Sequence, residues 1–245
     1  MKGFKKMKLD FLVWQKEDFD QFEDYLISLK NEEKVNWTKS IYATNKKCLA
    51  IKLPVLRDIA KKIGRGNIDS FLNGLQAEYI EQDILKAILI GQECDFEKQK
   101  KLIVSFLKNV DSWVCTDTLK LTKKISFEQI KILCKDLISG EIFLRRFAFV
   151  LLLKYAKNEE CIDFIFNLIE KMCDEKEYFV NMAIAWLLCE ISIYFPEKTL
   201  NFIINYKNNH KKENNHFLIK KYIGKCKDSF RINNEFKEKL KILNY

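Results

Sequence analysis

The sequence predicts an all-α chain, a helical-repeat solenoid of antiparallel helix pairs with a concave, basic face. Three observations point there. Only 7 Gly and 2 Pro occur among 245 residues, which leaves few positions for strand turns. The 48% of hydrophobic residues falls in short blocks with helical spacing. Helix-like segments also recur in pairs, each pair opening roughly 30–36 residues after the last, the period of a solenoid whose units bury their faces on one another. The length fits one domain spanning 1–245.

Residues 1–15 are basic and mixed, and are expected to form a loosely ordered entry segment containing Trp14. Phe19, Phe22, Tyr25, Leu26 and Leu29 place a first helix over about 16–30, and a short second one covers about 35–43. The segment 53–64 has Pro54 at its start and Gly64 at its end, with 55, 56, 59, 60 and 63 forming one apolar stripe. Arg57 and Lys61 lie four apart on its opposite face. The pairs that follow are 79–93 with 95–109, 112–124 with 126–139, 141–157 with 159–173, and 177–194 with 197–207. A capping pair, 215–228 and 233–243, closes the chain, and the polar run 208–215 reads as a mobile connection.

Lys and Arg number 43 against 34 Asp and Glu, a net charge of +9, which favours a polyanionic partner. The chain is rich in Lys, Asn and Ile, so part of this basicity is attributable to an AT-rich genome. Eight Cys without a C-x-x-C pair and only two His (His210, His216) assemble no tetrahedral zinc set, so no metal is expected. Cys134, Cys161, Cys173 and Cys189 read as small core residues in a reducing cytoplasm. Charges interrupt every apolar run well before the ~18 residues of a membrane span, and no signal-peptide core is evident. A soluble cytoplasmic protein is expected, with no membrane association.

Asp111-Ser112-Trp113-Val114-Cys115-Thr116-Asp117 opens a helix after an apolar run. Trp113 and Asp117, four residues apart, share a helical face. A π-surface beside a carboxylate suits a site that holds a cation. On spacing alone the same residues also read as a helix cap, a core Trp and a solvated Asp. Arg145 and Arg146, two of only five Arg, fall in the nearly all-apolar stretch 142–154, which ends in Lys154. There they either face a functional groove or snorkel to the surface. Trp186 sits in another helix with few polar positions. No Ser-His-Asp triad, Gly-rich phosphate loop or metal cluster is present in the sequence.

From about Ala50 onward the ordered blocks resemble the AlkD-type DNA alkylation repair glycosylases, built of HEAT-like repeats. The blocks are Leu53-Pro54-Val55-Leu56-Arg57-Asp58-Ile59-Ala60-Lys61, Ile88-Leu89-Ile90-Gly91, Asp111-Ser112-Trp113 with Asp117, and Leu144-Arg145-Arg146-Phe147-Ala148-Phe149-Val150. Tyr178-Phe179-Val180 through Ala183-Ile184-Ala185-Trp186, Phe195-Pro196-Glu197 and Lys227-Asp228-Ser229-Phe230-Arg231-Ile232 follow. The resemblance implies hydrolysis of the N-glycosidic bond of N3- and N7-alkylpurines (3-methyladenine, 7-methylguanine) in duplex DNA, without base flipping. It implies a monomeric, monofunctional enzyme needing no cofactor, with Trp113, Asp117 and Trp186 at the reacting sugar and Arg146 as the site arginine. Arg57, Lys61, Arg145 and Lys154 join Arg146 as candidates for binding DNA. The chain departs from the pattern after Trp186, where Leu187-Leu188-Cys189-Glu190 offers no basic residue for the DNA backbone. A non-catalytic helical-repeat scaffold binding DNA or protein is the alternative.

Overall fold

The structure is a computed structural model that describes residues 7–121, 125–210 and 213–243. The described residues form fourteen α-helices and no strand, which bears out the all-α class. The helices are α1 (Lys16–Ser28), α2 (Val35–Tyr42), α3 (Leu53–Ile63), α4 (Ile68–Gly74), α5 (Ile80–Ile90), α6 (Phe96–Leu107) and α7 (Trp113–Thr118). After these come α8 (Phe127–Leu137), α9 (Ile142–Leu152), α10 (Glu159–Glu170), α11 (Tyr178–Tyr194), α12 (Pro196–Asn209), α13 (Glu213–Asp228) and α14 (Asn234–Lys239). They group into two compact units, Met1–Ile125 and Ser126–Tyr245.

In the first unit α3 packs on α5 and α5 on α7. In the second, α9 packs on α11 and α11 on α13, with α8 against α9 and α12 against both α11 and α13. Helices two elements apart thus lie side by side, as in the stacking of successive helical repeats. Each unit has its own apolar core, with Phe22, Leu56, Phe71 and Ile84 in one and Phe147, Phe149, Ile184 and Leu187 in the other.

Several expected boundaries shift for physical reasons. The entry segment is held, not loose, over its described part 7–15. Trp14 is 6% exposed and stacks on Phe19, with its edge contacts to Phe11, Phe22 and Phe71. Its amide donates to Ser70 Oγ at 2.9 Å, and Asn67 N donates to the Phe11 carbonyl at 2.8 Å. Gly66 permits this approach, since a Cβ there would stand 2.3 Å from the Phe11 carbonyl oxygen. The helix α4, which the periodicity does not announce, begins where Asn67 caps Ser70 N at 3.0 Å.

The helix expected over 112–124 ends at Thr118. Thr116 and Thr118 turn their hydroxyls back to the carbonyls of Trp113 and Val114, both at 2.7 Å. Such back-bonding and β-branching weaken a helix. The chain then leaves past Gly91, where a Cβ would lie 2.3 Å from the Lys120 carbonyl oxygen. Residues 122–124 lie outside the described ones. The polar run 208–215 is mostly helical rather than a loose connection, with α12 reaching Asn209 and α13 starting at Glu213; 211–212 lie outside the described residues.

Candidate functional site

In the first unit the site is built on α7. Ser112 is its N-cap, accepting from Val114 N at 3.4 Å while donating its own hydroxyl to the Tyr42 carbonyl. Asp111 is not the cap. Its carboxylate accepts from Thr44 Oγ1 and Asn45 N, both at 2.7 Å. The Trp113 indole N–H donates to the Ile41 carbonyl at 2.9 Å, and its ring meets Tyr42 edge-on at 6.1 Å. Three consecutive side chains therefore tie α7 to the end of α2 and the turn after it.

Within α7, Val114, Cys115, Thr116 and Thr118 are buried, while Trp113 and Asp117 remain partly exposed. The Thr116 hydroxyl links them, lying 2.7 Å from the Trp113 carbonyl and 3.1 Å from Asp117 Oδ1. A rigid π-surface and a carboxylate thus stand on one face of one turn. Burial pushes the Cys115 thiol far above its ordinary value, so it stays a neutral core group beside this pair.

Arg57 and Lys61 are both exposed on α3, opposite buried Leu56, Ile59, Ala60 and Ile63, whereas Val55, expected in the apolar stripe, is exposed in the first turn. A residue that the sequence reading passed over is Trp37 on α2, which is 66% exposed. The signal available was its place in a helix bearing Lys39 and no carboxylate. The first unit also has an open pocket of about 380 Å³ whose walls include Lys46, Asp83, Lys86 and Phe106, and not Trp113 or Asp117. Its ammonium groups hold the structure together: Lys46 pairs with buried Asp83 at 2.6 Å and Lys86 donates to the Leu75 carbonyl at 2.6 Å.

In the second unit the two adjacent arginines do different things. Arg145 Nε and Nη2 donate to Glu175 at 2.7 and 3.2 Å, and Nη1 donates to the Gly140 carbonyl at 2.7 Å. Glu175 is buried and also accepts from Lys176 N and Glu177 N at 3.0 and 2.9 Å. This pair fixes the entry to α11, which gives Arg145 a structural role rather than an open face. Arg146 is 5% exposed and donates to the Phe179 carbonyl at 2.7 Å, joining α9 to the first turn of α11. Neither arginine snorkels out. Lys154 is exposed in the 3₁₀ turn after α9, its Nζ 5.0 Å from the Tyr155 ring.

Helix α11 is apolar nearly all round, yet one stripe stays open. Tyr178, Met182, Trp186, Glu190 and Tyr194 recur every fourth residue, and each is partly or fully exposed, while all the remaining residues of the helix from Val180 to Ser192 are buried. Trp186 is therefore not enclosed in a helix layer. Glu190 accepts from Arg231 Nη1 at 2.8 Å, and Arg231 Nη2 reaches Tyr194 Oη at 3.1 Å. A cation from the tail thus stands at the end of the stripe where α11 itself supplies none.

Among the described residues no group of three or more His, Cys, Asp or Glu could hold a metal ion. No described helix is long and apolar enough to cross a membrane. Cys134, Cys161 and Cys189 are buried as expected, whereas Cys173 is only partly so.

A search of curated proteins returns no match. The family model of the DNA alkylation repair enzymes matches residues 22–221, a span that holds Trp113, Asp117, Arg146 and Trp186. The resemblance seen in the ordered blocks is thereby borne out, and the chain belongs to the DNA alkylation repair enzyme family.

Proposed function

We propose that the protein is a monofunctional DNA glycosylase that hydrolyses the N-glycosidic bond of cationic N3- and N7-alkylpurines in duplex DNA, without flipping the base. The observation that carries this reading is the pair on α7. Of that helix's described side chains, Trp113 and Asp117 alone are left partly open, four residues apart and joined through Thr116.

An N3- or N7-alkylpurine already bears a positive charge, so its glycosidic bond is weakened and the base departs neutral. No acid is needed to protonate it. What remains is to stabilise an oxocarbenium-like sugar and to orient a water. Asp117 supplies the opposite charge and a proton acceptor for that water, and the Trp113 face supplies quadrupole attraction to the cation. About 4 kcal/mol from such groups corresponds to roughly a thousandfold in rate. Trp186, on the open stripe of α11, is by the family resemblance the second site tryptophan, an aromatic face offered to DNA. Arg146 works from beneath, holding the first turn of that helix. Arg57, Lys61 and Lys154, all exposed, contact phosphates. The enzyme acts as a cytoplasmic monomer without a cofactor.

The test is chromatography of bases freed from matched duplexes carrying 7-methylguanine, 3-methyladenine, uracil or hypoxanthine. Release of the alkylpurines with little uracil or hypoxanthine is expected, because neutral bases would have to leave as anions. Comparable rates on uracil and 7-methylguanine would require a general acid and refute the mechanism. Duplex binding with no release of any base would point to the non-catalytic scaffold.

A further inference from the structure

We infer that α2 is a DNA-engaging helix whose exposed Trp37 and Ile41 form an apolar wedge against the duplex beside the lesion. The inference rests on the glycosylase reading for the place of the lesion. Three observations carry it.

The first is exposure. Trp37 is 66% exposed and Ile41 48% exposed, and at i, i+4 they share one face of α2. A Trp so exposed forgoes burial of one of the largest apolar side chains, on a helix whose Thr38 is buried and so fixes which side faces inward.

The second is attachment. The backbone carbonyl of Ile41 accepts from the Trp113 indole at 2.9 Å, and the next carbonyl, that of Tyr42, accepts from Ser112. Asp111 adds bonds to Thr44 and Asn45 at 2.7 Å each. Trp37 thus sits on a helix locked to the candidate site. Ile41 is thus both a member of the exposed face and the residue whose carbonyl holds the Trp113 ring.

The third is charge. Helix α2 itself carries Lys39 and no acidic residue, and Lys34 immediately precedes it, following the acidic pair Glu32 and Glu33. An apolar face flanked by cations of this kind matches a polyanion with apolar faces of its own, which is what deoxyribose and base edges between phosphates offer. Apolar wedges that bear on base steps recur among proteins that bind and deform duplex DNA.

The experiment compares wild type, Trp37→Ala and Trp37→Phe by fluorescence anisotropy on two labelled duplexes, one unmodified and one holding a single tetrahydrofuran abasic analogue. Thermal unfolding and sedimentation are recorded for each variant. Trp37→Ala should weaken binding by about tenfold with unchanged salt slope, unchanged thermal midpoint and unchanged mass, and Trp37→Phe should recover most of the loss. Binding by Trp37→Ala within twofold of wild type would overturn the inference. So would a wild-type dimer that Trp37→Ala converts to monomer without altering duplex binding, since the face would then belong to a second copy. Base release from methylated duplex, measured alongside, bears on the glycosylase reading alone. A Trp37-dependent binder that frees no base would leave this inference standing and remove that reading.

Discussion

The Trp113 indole N–H donates to the carbonyl of Ile41, 72 residues earlier in the chain, at 2.9 Å. The bond orients the ring at its polar end, so the aromatic face is fixed by the end of α2 rather than by core packing alone. Together with Ser112 and Asp111, it makes α2 and α7 one mechanical piece.

Trp113→Phe keeps an aromatic face and removes that donor. It should cost about 1 kcal/mol in urea denaturation and raise amide exchange across residues 35–42. Protection of α2 equal to wild type would show that the bond does not hold the helix.

Arg145→Ala should destabilise the protein by about 3–5 kcal/mol, because it strands Glu175, whose side chain is 5% exposed. Arg145→Lys should recover only part of this, since an ammonium cannot replace the two-pronged contact. Urea midpoints of the two variants decide the matter. A loss below about 1 kcal/mol for Arg145→Ala, the range of surface pairs, would contradict the structural role.

Salt dependence should separate contact from support. Lys61→Ala removes an exposed ammonium and should lower the slope of log K against log salt by about 0.9, the loss of one phosphate contact. Arg146→Ala removes a guanidinium that is 5% exposed and bonded to Phe179. It should reduce stability and base release while shifting the slope by much less. A full unit lost from the slope in Arg146→Ala would place that guanidinium on a phosphate.

Glu81 is fully buried and accepts from Leu49 N at 3.0 Å and Ile51 N at 3.4 Å, holding the segment in which Ala50 takes φ 57°. Burial pushes its carboxyl above the ordinary 4.5, against the opposing pull of those backbone N–H groups. A raised folded-state value means folding favours the protonated form. This contribution is fully present below the ordinary value and is lost as pH rises through the raised one. Wild type should therefore lose stability relative to Glu81→Gln on raising the pH through that window. A constant difference between the two would show that Glu81 does not titrate with folding.

Much of the helical framework was legible because local chemistry marks it. Pro54 and Gly64 bracket α3, and the predicted ends coincide with Leu53–Ile63. What failed was local pattern overridden by distant partners. Trp14 looked unplaced because one wall of its cage, Phe71, lies 57 residues on, beside the nearer Phe19 and Phe22. The shortening of α7 depended on threonine hydroxyls turning back on the helix and on the close pass by Gly91. At the site, the four-residue spacing of Trp113 and Asp117 was visible, but not whether either side chain was open. Arg145 and Arg146 were visible as anomalies in an apolar helix. Their partners, Glu175 and the Phe179 carbonyl, lie 30 and 33 residues on and carry no local signal.

Single-turnover release of 7-methylguanine and 3-methyladenine by wild type and Asp117→Asn tests the central claim most directly. The change is near-isosteric and removes the charge set against the developing sugar cation. Release should fall by about a hundredfold or more, roughly 2.7 kcal/mol of transition-state stabilisation, with folding and duplex binding close to wild type. Release within about threefold of wild type, a difference worth only some 0.6 kcal/mol, would show that Asp117 does not carry the reaction.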